Sequence, residues 1–155
     1  MHPRAVELID LLQLQAHPEG GYYRRLYESR ECLPSGRLLA SAIVFLLPAG
    51  QVSRWHRVDA DELWHFYEGA PLELLIADTP AAVEPQLLGP VAAQMLPQRL
   101  VRAQAWQAAR TQGDFSLVGC TLAPGFEFAG FALLADEPQV QRDWPLLAAQ
   151  YPELV

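Results

Sequence analysis

The sequence predicts an all-β protein, a barrel or sandwich, with a short N-terminal helix and helical turns at the C-terminus. Three observations carry this expectation. Helical spacing of apolar residues opens the chain. A proline–glycine break follows it. Beyond the break come many short runs rich in aromatic and branched residues, most of them separated by Pro, Gly or Asp. Short strands at such spacing mark a sandwich or barrel.

Val6, Leu8, Ile9, Leu11, Leu12 and Leu14 place an amphipathic helix over residues 4–15. His17-Pro18-Glu19-Gly20-Gly21 stops it, because proline and paired glycines break regular structure. The main strands are expected at Tyr22–Ser29, Leu38–Leu47, Val52–Val58, Glu62–Tyr67, Leu72–Ala77 and Phe115–Leu122. Weaker ones fall at Gln86–Leu88, Gln94–Leu96, Arg99–Val101, Ala105–Ala109 and Phe131–Leu134. Pro80–Pro97, rich in Ala, Pro and Gln, reads as a loop with an edge strand. Pro138–Tyr151 reads as helical turns broken at Pro145.

A chain of 155 residues is expected to fold as one domain over 1–155. Its net charge of −7 and pI near 5.0, with no basic stripe, argue against nucleic acid and anionic membranes as partners. Cys32 and Cys120 form no CxxC pair and read as reduced, structural residues. The opening MHPRAVELIDLL carries Glu7 and Asp10 where a signal peptide needs an apolar run. The longest apolar run, Leu38 to Pro48, is too short to span a bilayer. A soluble, cytoplasmic protein is expected.

The chemistry concentrates between Gly50 and Gly69, where Gly50, His56, Glu62 and Gly69 are separated by five, five and six residues. Read as an antiparallel hairpin turning at Asp59-Ala60-Asp61, this segment sets His56 and Glu62 nearly opposite each other. Alternation gives Glu62, Trp64 and Phe66 a common face and turns His65 to the other. An imidazole beside a carboxylate in an apolar cavity either grips a metal or acts as a proton-transfer dyad. Strand parity groups Arg54 with His56 and sends Arg57 outward. Of the adjacent Arg24 and Arg25, one is expected to point inward, where it would favour a carboxylate or phosphate. Gly20-Gly21 either ends the helix or lets the chain pass over the barrel mouth with Glu19 or Tyr23 facing a ligand.

The Gly50–Gly69 segment resembles the first cupin motif, matching at Gly50, His56, Glu62 and Gly69 and departing at Val58, where most metal-binding cupins carry a second His. The second cupin motif is nearly erased. Its best register places Met95, Val101, Ala103, Trp106 and Arg110 at the key positions, with Trp106 at the ligand His. The runs HPEGGYY, SRWHR, ELWHF and GCTLAPGF resemble the signatures of a small cupin branch that carries a domain-of-unknown-function label. The resemblance implies a double-stranded β-helix, or jelly-roll, and a homodimer. It carries no established activity.

Two motif ligands without their partners make a cofactor unexpected, with His56 and Glu62 the weak metal candidates. The expected partner is a small polar metabolite held in the barrel. His56, Glu62 and Tyr23 are the candidate catalytic groups for metal-independent epimerase- or isomerase-like chemistry. Glu19, Arg25, Trp64, Phe66 and Trp106 are the candidate ligand contacts. Two alternatives stand beside this reading: a non-catalytic binding or sensing module for a sugar or nucleotide, and a metal-dependent cupin enzyme.

Overall fold

The computed structural model describes residues 1–155. Helix α1 (Pro3–Leu12) starts with proline in its first turn and with His2 Nδ1 accepting the Arg4 amide. It ends when Gln13 turns left-handed, at φ 52°. It therefore stops short of the expected residue 15, and Gln15–Ala16 forms a short strand β1 instead. The other strands are β2 (Tyr22–Glu28), β3 (Ser41–Pro48), β4 (Val52–Val58), β5 (Asp61–Gly69), β6 (Leu72–Thr79), β7 (Ala82–Leu88), β8 (Met95–Leu96), β9 (Gln98–Val101), β10 (Trp106–Thr111), β11 (Phe115–Ala123) and β12 (Phe131–Leu133). Helices α2 (Pro138–Asp143) and α3 (Pro145–Gln150) close the chain, each opened by its own proline.

Two six-stranded sheets face each other, in the orders β1-β2-β3-β11-β5-β9 and β12-β4-β10-β6-β7-β8. All neighbours are antiparallel except β7 and β8. This jelly-roll corrects the expected hairpin. β4 and β5 do not pair; they lie in opposite sheets, and residues 59–60 carry the chain across the barrel. The link packs inward because Ala60 is buried with Val58 and Leu122, while Arg37 clamps Asp59 with two hydrogen bonds of 2.9 and 2.7 Å. The segment read as a loop, Pro80–Pro97, is mostly strand, with Pro85 tolerated on β7, one strand from the edge of its sheet.

Side-chain alternation divides the apolar residues into two main bodies. Phe45, Leu47, Trp64, Leu72, Leu74, Leu88, Ala109 and Val118 fill the space between the sheets at one end. Trp55, Leu75, Trp106 and Ala108 point outward from the second sheet and are covered by Leu134, Leu147 and Leu154 of the C-terminal segment. Helix α1 covers the outer face of β3 and β11 through Ala5, Leu8, Val44, Leu46 and Leu117. The unbroken apolar run of β3 follows from this, since both of its faces are buried.

Candidate functional site

The end of the barrel that the core leaves unfilled holds a cavity of about 440 Å³. Its deep lining is Glu19, His56, Glu62, Cys120, Val58 and Leu122, all buried. Tyr23, Ile43 and Phe131 form half-buried walls. Arg25, Phe126 and the exposed Phe128 and Gln15 lie toward the mouth.

Glu19 arrives on the strap His17–Gly21, which crosses the start of β4. Gly20 has φ 109°, and a Cβ there would stand 2.0 Å from the Val52 carbonyl oxygen. A Cβ on Gly21, at φ 72°, would meet the Phe45 ring and the Leu46 carbonyl at 2.8–2.9 Å. Only glycine permits so close an approach. The strap is then fixed by the Arg54 amide donating to the Glu19 carbonyl at 2.9 Å and by the Gly21 amide donating to Gln51 Oε1 at 3.1 Å.

A bulge in β4 completes the arrangement. Gln107 pairs with His56, but Ala109 pairs with Ser53, so β4 spends three residues where β10 spends two. Ser53 and His56 consequently both face inward. Arg54 does not keep parity with His56; its guanidinium turns out to the Pro18 carbonyl at 2.6 Å. Arg57 faces outward as expected and lies over the Trp106 ring, 5.0 Å from its centroid.

Glu19 Oε1 accepts the Ser53 hydroxyl at 3.0 Å, and Glu19 Oε2 lies 3.1 Å from His56 Nε2. His56 Nδ1 is 2.7 Å from the Arg54 carbonyl oxygen, which can only accept. Nδ1 therefore carries a hydrogen, and the Nε2–Oε2 contact holds one proton between its two atoms. Burial lowers the pKa of His56 and raises that of Glu19. His17 Nδ1 accepts the Glu19 amide at 3.3 Å, so its 3.7 Å approach to Glu19 Oε2 is no hydrogen bond, and burial lowers its pKa too.

Glu62 comes from the facing sheet. Its Oε2 accepts the side-chain amide of Gln107, whose own oxygen accepts the indole N–H of Trp64 at 3.0 Å. An indole only donates, so the Gln107 amide has a single orientation and presents its N–H to Glu62. Burial raises the pKa of Glu62, and the neighbouring Glu19 raises it further against the opposing effect of His56. Burial also lifts the Cys120 thiol well above its ordinary range, with Glu62 adding to the rise.

The cavity thus gathers His56, Glu62, Tyr23, Glu19 and Arg25. It does not include Trp64, Phe66 or Trp106. Trp64 lies behind Gln107 and supports Glu62 from the core. Phe66 packs against that same core. Trp106 points out of the barrel because the inward residue of β10 is its neighbour Gln107, one position from the motif register. The direct partner of His56 is Glu19, not Glu62. Ser53, Gln107, Cys120, Phe126 and Phe131 also line or support the site without a signal in the motifs, because strand pairing decides which face each takes.

A family model described as cupin superfamily, DUF985, matches residues 6–134. The chain belongs to this cupin family. This cupin is similar over 96% of its length to protein SO0799 from Shewanella oneidensis, at 36% identity and TM-score 0.87, covering 94% of that chain. It is similar over 97% of its length to a hypothetical protein from Leishmania major, at 28% identity and TM-score 0.87, covering 98% of that chain. Oxalate decarboxylase from Bacillus subtilis matches at 14% identity and TM-score 0.63, over 90% of this cupin and 36% of that chain, a likeness of fold alone. No curated protein sequence matches.

A metal held in the manner of the cupin motif would find His56 and Glu62 at the matched positions. No three His, Cys, Asp or Glu side chains are disposed to hold one. Val58 stands at the second His of the motif, and Gln107, inward on β10, turns an N–H donor toward Glu62 where a ligand would offer a lone pair. No helix is long and apolar enough to cross a membrane.

Proposed function

We propose that this cupin binds a small polar metabolite in the barrel and moves protons on it by epimerase- or isomerase-like acid–base chemistry, without a metal. One observation carries the reading: two titratable units line a single cavity from opposite sheets, His56 with Glu19 on one wall and Glu62 on the other. Epimerisation beside a carbonyl requires removal of a proton from one face of a carbon and delivery of a proton to the other. The His56–Glu19 unit takes the carbon-bound proton, and the C–H electron pair passes into the enolate. Glu62 protonates the opposite face, and Tyr23 lies on the wall to donate to the enolate oxygen. The raised pKa of Glu62 suits an acid, and the lowered pKa of His56 suits a base.

The test uses the purified protein in D2O with a panel of aldoses, 2-hydroxy ketones and 2-oxo acids, followed by proton NMR. Exchange at a carbon next to the carbonyl, lost in His56→Ala and Glu62→Gln, is expected. No exchange at any carbon above the His56→Ala background overturns proton transfer.

A second reading, holding a ligand without turnover, draws support from the aromatic mouth formed by Phe126, Phe128 and Phe131, whose rings contact edge-to-face at 5.0–6.3 Å. Thermal stabilisation by a compound that undergoes no exchange supports it. We also propose the homodimer that the family resemblance implies; sedimentation of a monomer alone overturns it.

A further inference from the structure

The cavity is unevenly charged from end to end, and the asymmetry specifies the kind of ligand. Its mouth lies at the seam between two sheet edges, β1–β2 of one sheet and β12 of the other, marked by the lining residues Gln15, Arg25 and Phe131. The deep end lies under β5, at Glu62. Arg25 is inward on β2, where it pairs with Ile43 of the cavity wall. Its guanidinium leans on Phe126, 5.7 Å from the ring centroid, and only Nη1 is engaged, by Glu28 Oε1 at 2.6 Å. The remaining edge of the fork is a ready site for a carboxylate or phosphate.

The deep end is of opposite character. Glu19 and Glu62 are both buried there, and no Lys or Arg other than Arg24 and Arg25 lines the cavity. Arg24 is turned to the end of α1, where it holds the Leu12 carbonyl and Gln13. An anionic group beside Glu19 and Glu62 would meet two carboxyl groups and no cation, a costly burial. A hydroxyl, which donates as well as accepts, matches the free side of Glu62 and the His56–Glu19 unit. Between the ends the walls are Ile43 and Tyr23.

Length follows from the sheet. The path from β2 through β3 and β11 to β5 crosses three strand spacings, roughly 14 Å at about 4.8 Å each. With the guanidinium held at the mouth by Phe126 and Glu28, that distance is an upper limit on a ligand reaching from Arg25 to Glu62.

We propose that the ligand is a small hydroxylated compound with a single anionic group, which enters with its hydroxyls first and leaves its carboxylate or phosphate at Arg25. This deepens the preceding reading, since it takes the cavity as the ligand site.

The test compares matched probes by isothermal titration: gluconate against glucitol, ribose 5-phosphate against ribose, and hexanoate as an anion without hydroxyls. At least one anion of the two pairs is expected to bind tenfold or more tightly than its neutral partner. Which pair responds separates carboxylate from phosphate. Hexanoate is expected to bind more weakly than gluconate. Arg25→Gln should shrink the anion's advantage below twofold, while Arg25→Lys, which keeps the charge but not the fork, retains only part of it, and both should melt near wild type. Neutral partners binding as tightly as the anions, an advantage that survives Arg25→Gln, or no binding by any of the five at millimolar concentration overturns the proposal. An anion preference that stands without deuterium exchange upholds this ligand class and removes only the proton-transfer reading.

Discussion

Glu19 Oε2 lies 3.1 Å from His56 Nε2, while the other ring nitrogen is committed to the Arg54 carbonyl. One proton therefore serves both residues, and the buried ring is held back from taking a second. His56 is expected to stay in the Nδ1–H form at pH 7 and to titrate below its ordinary value of 6.5. Nitrogen-detected NMR of the imidazole checks this, and an Nε2–H tautomer with a free Nδ1 would refute it. The sign for stability follows. His17 and His56 bind protons more readily unfolded than folded, so their contribution is lost as pH falls below 6.5.

Glu62 predicts the opposite trend. Its folded pKa is raised above the ordinary 4.5, so the native state keeps a proton that the unfolded chain releases above that pH. Stability from this group falls as pH rises through the window above 4.5. Glu62→Gln removes the penalty. The melting difference between variant and wild type should be constant below pH 4 and grow in the variant's favour toward pH 8, by roughly 3–5 °C for each unit of displacement. A flat difference across that range would show that Glu62 is not held up by burial.

The Trp64–Gln107–Glu62 chain is fully buried. Gln107→Leu leaves an indole N–H and a carboxylate oxygen without partners, a cost of about 2–5 kcal/mol. Urea unfolding measures it. A loss under about 1 kcal/mol would mean that the amide does not hold Glu62.

Two glycines with positive φ should differ sharply on substitution. Gly20→Ala drives a Cβ into the Val52 carbonyl and displaces Glu19, at a cost of about 3 kcal/mol or more and with loss of ligand affinity. Gly36, at φ 87° with open space around it, should cost only about 1 kcal/mol as alanine. Chemical denaturation of the two variants compares them directly, and equal costs would contradict the close crossing.

Trp106 separates core from site. Trp106→Phe should leave the affinity of any cavity ligand within twofold, while stability falls by about 1–3 kcal/mol through the packing under Leu134 and Leu147. A tenfold loss of affinity with unchanged stability would place the ring at the ligand after all.

Local patterning made much of the fold legible. Val52–Val58 was delimited at both ends because alternation and flanking turn residues act over neighbouring positions. Phe115–Leu122 lacked only Ala123. The motif residues His56 and Glu62, and the strap residue Glu19, were also visible, since their spacing and the adjacent glycines are written in the chain. Trp106 shows why the remainder was hidden. Periodicity fixes alternation, yet a one-position error in register exchanges the inner and outer faces, and only strand pairing settles which neighbour points in. The bulge that turns Ser53 inward beside His56 is likewise a property of the β4–β10 pair and not of either strand alone.

The sequence by itself determined the all-β class, the presence of a short N-terminal helix, and Glu19, His56 and Glu62 as candidate site residues. Tertiary structure decided their partners. It carried β4 and β5 into opposite sheets, gave His56 to Glu19 and Glu62 to Gln107, and sent Trp106 outside the barrel. The physical reason is that hydrogen-bond partners and cavity walls are set by contacts between distant segments, whereas strand and turn preferences are local.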